Sequence, residues 1–151
     1  MYCEDLSNYN YFFPDISGKV KNVGWIVEDQ PFSQGIVSDE FKTKLLQLFF
    51  GSSSFCSDTN LIRGPSHPCN LCGECFKVEL NGKTKSLGSS EIWVPSEKER
   101  GIVYASPSLL IHYIEVHGYC PPAEYIEAVM SIDLNTDFNG QDVSYKMLLG
   151  R

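Results

Sequence analysis

Apolar and polar side chains first alternate at residues 21–27, where Val23, Trp25 and Val27 share one side and predict a strand. The period then changes. Ser38 is the expected N-cap of a helix, with Asp39 and Glu40 in the first turn, where the helix dipole favours acids. Phe41, Leu45, Leu48 and Phe49 recur at helical spacing until Gly51 ends the run. Residues 51–68 are rich in Ser, Gly and Pro and read as a loop. Alternation returns at 76–80, breaks at Asn81-Gly82, a strong hairpin signal, and resumes at 83–87. A further strand pair is predicted at 91–94 and 101–105, across a charged turn at 96–100.

Ser106-Pro107 reads as an N-cap and first helical position, opening a helix that runs to about His117 before Gly118 stops it. Residues 119–122 form a proline elbow, and a last helix is predicted from Pro122 through Met130 with Tyr125, Ile126 and Val129 inward. Flanking these elements are an extended arm, 1–20, whose Tyr9, Tyr11, Phe12 and Phe13 are expected to pack on the body, and a polar tail, 131–151. A short element is expected in the tail at 143–149. The pattern predicts one α+β domain over 1–151: an antiparallel meander sheet, packing helices, and a metal knuckle at the sheet edge.

Composition supports a folded chain, since 42% hydrophobic and 13% aromatic residues in 151 suffice for a core. A net charge of -7 and a pI near 4.9 argue against nucleic acid, which selects a basic footprint. They leave a basic protein partner open, although solubility alone is the simpler account of the acidity. No basic-then-apolar start resembling a signal peptide opens the sequence, and no run approaches the ~20 apolar residues of a membrane helix. A cytoplasmic setting is therefore expected, where six cysteines read as metal ligands before disulfides.

The chemistry centres on residues 67–75, His-Pro-Cys-Asn-Leu-Cys-Gly-Glu-Cys. Cys69 and Cys72 have the two-residue gap that lets two thiolates face one ion, and Gly73 permits the left-handed turn behind them. Such a knuckle supplies half of a tetrahedral site. His112 and His117, on the predicted helix, are the expected other half, and a Cys2His2 set points to zinc. Reserve ligands are Cys75, His67 and Cys120; Cys3 and Cys56 are isolated. On an ideal helix His117 falls on the apolar face with Leu110, Tyr113 and Ile114, whereas His112 lies about 140° away. The last turn must therefore change pitch for both rings to meet, and Gly118 supplies an end where it can.

Other motifs are weaker. An iron–sulfur cluster lacks its fourth cysteine, and a thioredoxin-like pair would be followed by a helix, not a strand. Asp133-x-Asn135-x-Asp137 starts like a calcium loop but has Phe138 where Gly belongs and Ser144 where Glu belongs. Glu74, Glu91 and Glu115 are the acids that a metal-dependent hydrolase would use as a base, with surface solvation as the ordinary role of Glu74 and Glu115.

Three stretches carry a resemblance: Leu87-Gly-Ser-Ser-Glu-Ile-Trp-Val-Pro95, Tyr104-Ala-Ser-Pro-Ser-Leu-Leu-Ile-His-Tyr113, and His117-x-Tyr119-x-Pro-Pro122 with Tyr125 and Glu127-Ala-Val129. With His67-Pro-Cys69-x2-Cys72 and Tyr2-x-Glu4-Asp5-Leu6, they resemble an uncharacterised family of small bacterial proteins, up to about Met130. The resemblance implies a bacterial, cytosolic origin and one site made of Cys69, Cys72, His112 and His117. Cys75 and Cys120 lie outside the shared pattern. It brings no activity, substrate or partner. Four protein ligands would close the zinc shell, so a non-enzymatic binding or regulatory domain is expected, in the manner of an immunity-like inhibitor. A hydrolase with three ligands and a bound water is the alternative.

Overall fold

The computed structural model describes residues 4–7, 20–50, 56–58, 68–88, 90–96, 99 and 102–132. His67, the calcium-like run from Asp133, the tail and most of the N-terminal arm lie outside them, as do the side chain of Cys56 and all of Cys3. Among the described residues, six strands and three helices make the α+β architecture expected from the pattern: β1 Val20–Asn22, α1 Asp39–Phe50, β2 Cys56–Asp58, β3 Lys77–Leu80, β4 Lys83–Ser86, β5 Ser90–Pro95, β6 Val103–Pro107, α2 Leu110–His117 and α3 Ala123–Ser131.

The strands divide between two sheets instead of continuing as one meander. A four-stranded sheet has the order β1-β6-β5-β2, and β3-β4 stand apart as a hairpin. β5 and β6 pair antiparallel, with Glu91 opposite Pro107 and Trp93 opposite Ala105. β1 runs parallel to β6, Val20 opposite Val103. β2, inside the stretch read as loop, pairs antiparallel with β5. Its three residues, Cys-Ser-Asp, are too short and polar to show a period.

Two element ends differ from the sequence reading for visible reasons. The first strand stops at Asn22, because Gly24 turns at φ 83°. A Cβ there would lie 2.7 Å from Leu110 Cδ1, so the glycine also lets α2 approach. Val23, Trp25 and Ile26 are then all buried, without alternation. Ser106-Pro107 closes β6 instead of opening α2. The Ser106 hydroxyl bonds to Ile92 O and Tyr125 OH at 3.3 and 3.0 Å, consumed by the core. The helix begins at Leu110, after a turn where Ser108 Oγ accepts from Gly88 N–H at 2.9 Å.

The core fills the space between sheet and helices. Phe41, Leu45, Leu48 and Phe49 of α1 are buried, as the helical spacing predicts, each worth about 1.5–3 kcal/mol of apolar transfer. α3 packs on α1 and β5, with Tyr125 edge-on to both Phe41 and Tyr104. Trp25 Nε1 donates to Ala105 O at 3.0 Å, tying the chain after β1 to the central strand.

A second tie joins the N-terminal segment to the end of α2. Leu6 N–H donates to Asn22 O, and Asn22 N–H to Ser7 O, covering the outer edge of β1. Asp5 Oδ1 accepts from Gly24 N–H at 3.0 Å, and Tyr119 OH donates to the Asp5 carboxylate at 2.8 and 2.9 Å. Burial pushes the Asp5 carboxyl above its usual range, outweighing the hydrogen bonds that lower it. The same burial, with the Asp5 charge, raises the Tyr119 phenol.

This has a measurable pH dependence. A carboxyl whose pKa is raised by folding holds its proton longer in the folded chain, so its contribution falls as pH rises through that raised pKa. Wild-type stability should therefore decline relative to Asp5→Asn as pH is raised from about 4 in denaturant titrations. A difference between the two proteins that stays constant with pH would mean that Asp5 titrates normally.

Candidate metal centre

The knuckle is built by its own backbone. Cys69 N–H donates to Glu74 O, and Gly73 N–H to Cys69 O, both at 2.9 Å, with Gly73 at φ 75° as the turn demands. Cys69 Sγ accepts from Leu71 N–H at 3.3 Å, a contact that favours a thiolate. Asn70 Nδ2 donates to Ile26 O at 3.1 Å, anchoring the loop to the chain beyond β1. Cys69 is 2% exposed, whereas Cys72 is at the surface.

α2 supplies the opposite wall. It ends at Gly118, φ 71°, and the Tyr113 carbonyl accepts from the N–H groups of both Gly118 and Tyr119, five and six residues on. That is wider than an α-turn, and it is the pitch change the five-residue histidine spacing requires. The two imidazoles meet edge-on, centroids 4.9 Å apart at 81°. The burial order reverses the helical-wheel expectation. His112, placed on the outer side by the wheel, is 5% exposed, while His117 is only half-buried. Phe76 explains the reversal: it follows the knuckle and stacks on the His112 ring at 3.7 Å, roofing a side of α2 that the wheel counts as outer. Only the chain's return path places Phe76 there; its sequence signal is that of any strand residue.

The four donor atoms converge. Cys69 Sγ lies 3.5 Å from His117 Nε2, Cys72 Sγ 3.6 Å from His112 Nε2, and the two Nε2 atoms 3.2 Å from each other. All four lie within 4.8 Å of one another, so the group could hold one metal ion. Burial pushes the Cys69 thiol up, and burial followed by the His117 charge pushes His112 down. Desolvation thus favours neutral groups, and a cation among them would reverse the preference for the thiols.

The other candidates fall elsewhere. Cys75 is exposed and outside the converging group. Cys120, past α2, is half-buried with its N–H on Ser33 O and its thiol toward Pro121 O at 3.7 Å. Glu91 is buried in β5 and accepts from Trp93 Nε1 at 2.8 Å. Glu115 pairs with Lys42 at 3.3 Å on the surface. Glu74 is exposed, and its charge acts on His112.

No curated protein and no solved structure matches the chain. Among the described residues no helix is long and apolar enough to cross a membrane. A family model covers residues 1–130, which include the knuckle, both histidines and all three helices up to Met130, and the chain therefore belongs to the family described as a domain of unknown function, DUF7919.

Proposed function

We propose that Cys69, Cys72, His112 and His117 bind one zinc ion in a closed tetrahedral shell, and that the protein is a non-enzymatic, zinc-stabilised binding or regulatory domain. The observation that carries this reading is the set of distances between donor atoms. Ligands at Zn–S of about 2.3 Å and Zn–N of about 2.05 Å, at tetrahedral angles, lie roughly 3.6 Å apart for S···N and roughly 3.3 Å for N···N. The corresponding distances here are 3.5, 3.6 and 3.2 Å. Two thiolates and two imidazoles suit zinc better than the oxygen-seeking ions. Four protein ligands leave no position for a reacting water, which makes the centre structural.

In this reading the ion fastens the knuckle to the end of α2, and the domain works through its surface. A protein partner is the corresponding target, and the net charge of -7 favours a basic one. A regulator or immunity-like inhibitor is the concrete form of that role.

Native mass spectrometry of protein purified without chelator should show about one zinc per chain. Chelation should lower the melting temperature by about 10 °C or more, since zinc affinity is partly folding free energy, without abolishing the fold built around the separate core. A melting curve indifferent to chelator would make the ion incidental.

Ligand variants separate the site from its neighbours. Cys72→Ser and His117→Ala should each lose most of the zinc, and His112→Ala should lose it along with more stability, because that ring is also buried beneath Phe76. Cys75→Ser should keep its zinc. If Cys75→Ser loses the metal while His117→Ala retains it, the site uses three cysteines and this ligand set is wrong.

A further inference from the structure

The β3–β4 hairpin has one side that is closed and one that is open. Its register pairs Lys77 with Ser86, Val78 with Lys85, Glu79 with Thr84 and Leu80 with Lys83. Leu87 N–H donates to Phe76 O at 2.9 Å, which makes Phe76 and Leu87 a hydrogen-bonded pair. Such pairs alternate in an antiparallel ladder, so Val78 and Leu80 also bond inward to β4. The N–H and C=O of Lys77 and Glu79 must then point away from β4. Among the described residues neither has a main-chain partner on that side.

This open edge borders a groove of about 530 Å³ between the hairpin, α1 and α2. Phe76, Lys77, Val78 and Glu79 all line it. Consecutive residues of a strand point to opposite faces, so four in a row can line one groove only if the strand presents its edge. The opposite walls include Leu46, Ile111 and Val116, and Val116 is 61% exposed.

We propose that β3 is a self-association edge: two copies of the chain pair antiparallel through Phe-Lys-Val-Glu-Leu, residues 76–80, about a two-fold axis at Val78. The segment is its own complement. Centring the pairing on Val78 sets Lys77 of each copy opposite Glu79 of the other, on the exposed face of the hairpin. It sets Phe76 opposite Leu80 and Val78 opposite Val78 on the half-buried face, toward the apolar groove. The hydrogen-bonded pairs in that register would be Lys77 with Glu79, the two residues whose main-chain groups point outward. Main-chain direction and side-chain polarity are both satisfied in that register, and charge selects it over pairings centred on Lys77 or Glu79, which would set each residue against its own copy.

Two other edges, of β4 and β1, do not offer this. Pairing β4 with itself about Lys85 would set that lysine against its own copy, a destabilising like-charge pair. The outer edge of β1 is covered by Leu6 and Ser7.

The test uses the full chain and needs no knowledge of another partner. Sedimentation of the wild type over a concentration series should show a reversible monomer–dimer equilibrium. Hydrogen exchange should show the Lys77 and Glu79 amides gaining protection with concentration, while those of Val78 and Leu80 are protected throughout. Lys77→Glu and Glu79→Lys should each weaken the dimer roughly tenfold, because every single reversal opposes like charges at both symmetric pairs. The double reversal, Lys77→Glu with Glu79→Lys, should restore it. Both side chains are exposed, so an unchanged circular dichroism spectrum confirms that the variants fold. A chain that stays monomeric with fast Lys77 and Glu79 exchange overturns the proposal, and would assign the edge to a different protein if one protects those amides. A dimer indifferent to the single reversals, or not rescued by the double one, also overturns it.

Discussion

Four donor atoms from two chain segments, 40 residues apart at their nearest, converge to within 4.8 Å of one another. Most of the local geometry around them holds that convergence in place. Gly73 lets the knuckle turn back on itself, and Gly118 lets the last turn of α2 widen until two rings that an α-helix would set far apart face one point. A Cβ built on either glycine would meet nothing within 4 Å, so what each position requires is the positive φ and not the room. Their role is conformational. Around them, Asn70, Phe76 and the Asp5–Tyr119 pair fix the approach of the two halves.

How much of this could be read beforehand follows from the range of each interaction. The four candidate ligands were legible because Cys-x2-Cys is a local geometry and only three histidines were available. α1, the Asn81-Gly82 turn and the α+β class were legible for the same reason: spacing and turn chemistry are written within a few residues. Which histidine would be buried was not, since Phe76 reaches His112 from a different element. Ser106-Pro107 misled for a related reason. Its local signal says helix start, but pairing with β5 and the hydroxyl contact to Tyr125 hold it in a strand. The parallel pairing of β1 with β6 has no short-range signature at all.

The proposed zinc centre and the proposed self-association edge meet at Phe76. Its ring stacks on a candidate ligand, while its carbonyl closes the hairpin ladder through Leu87. Phe76 directly precedes β3, so under both proposals a dimer formed through that strand would feel the state of the metal without any contact between them. Such a coupling would run through one side chain and one hairpin, a short path by the standards of energetic linkage.

The topology also sets how long an early element must wait for its partner during synthesis. β1 leaves the ribosome long before β6, yet its place in the sheet is beside that strand, with Trp25 bonded to Ala105. Until some 80 further residues have emerged, Val20, Val23, Trp25 and Ile26, all buried in the finished protein, lack the strand beside which they are held. The knuckle waits longer still, for His117. Synthesis therefore carries a long interval of exposed apolar chain and unpaired thiols, the condition under which nascent proteins aggregate or engage chaperones.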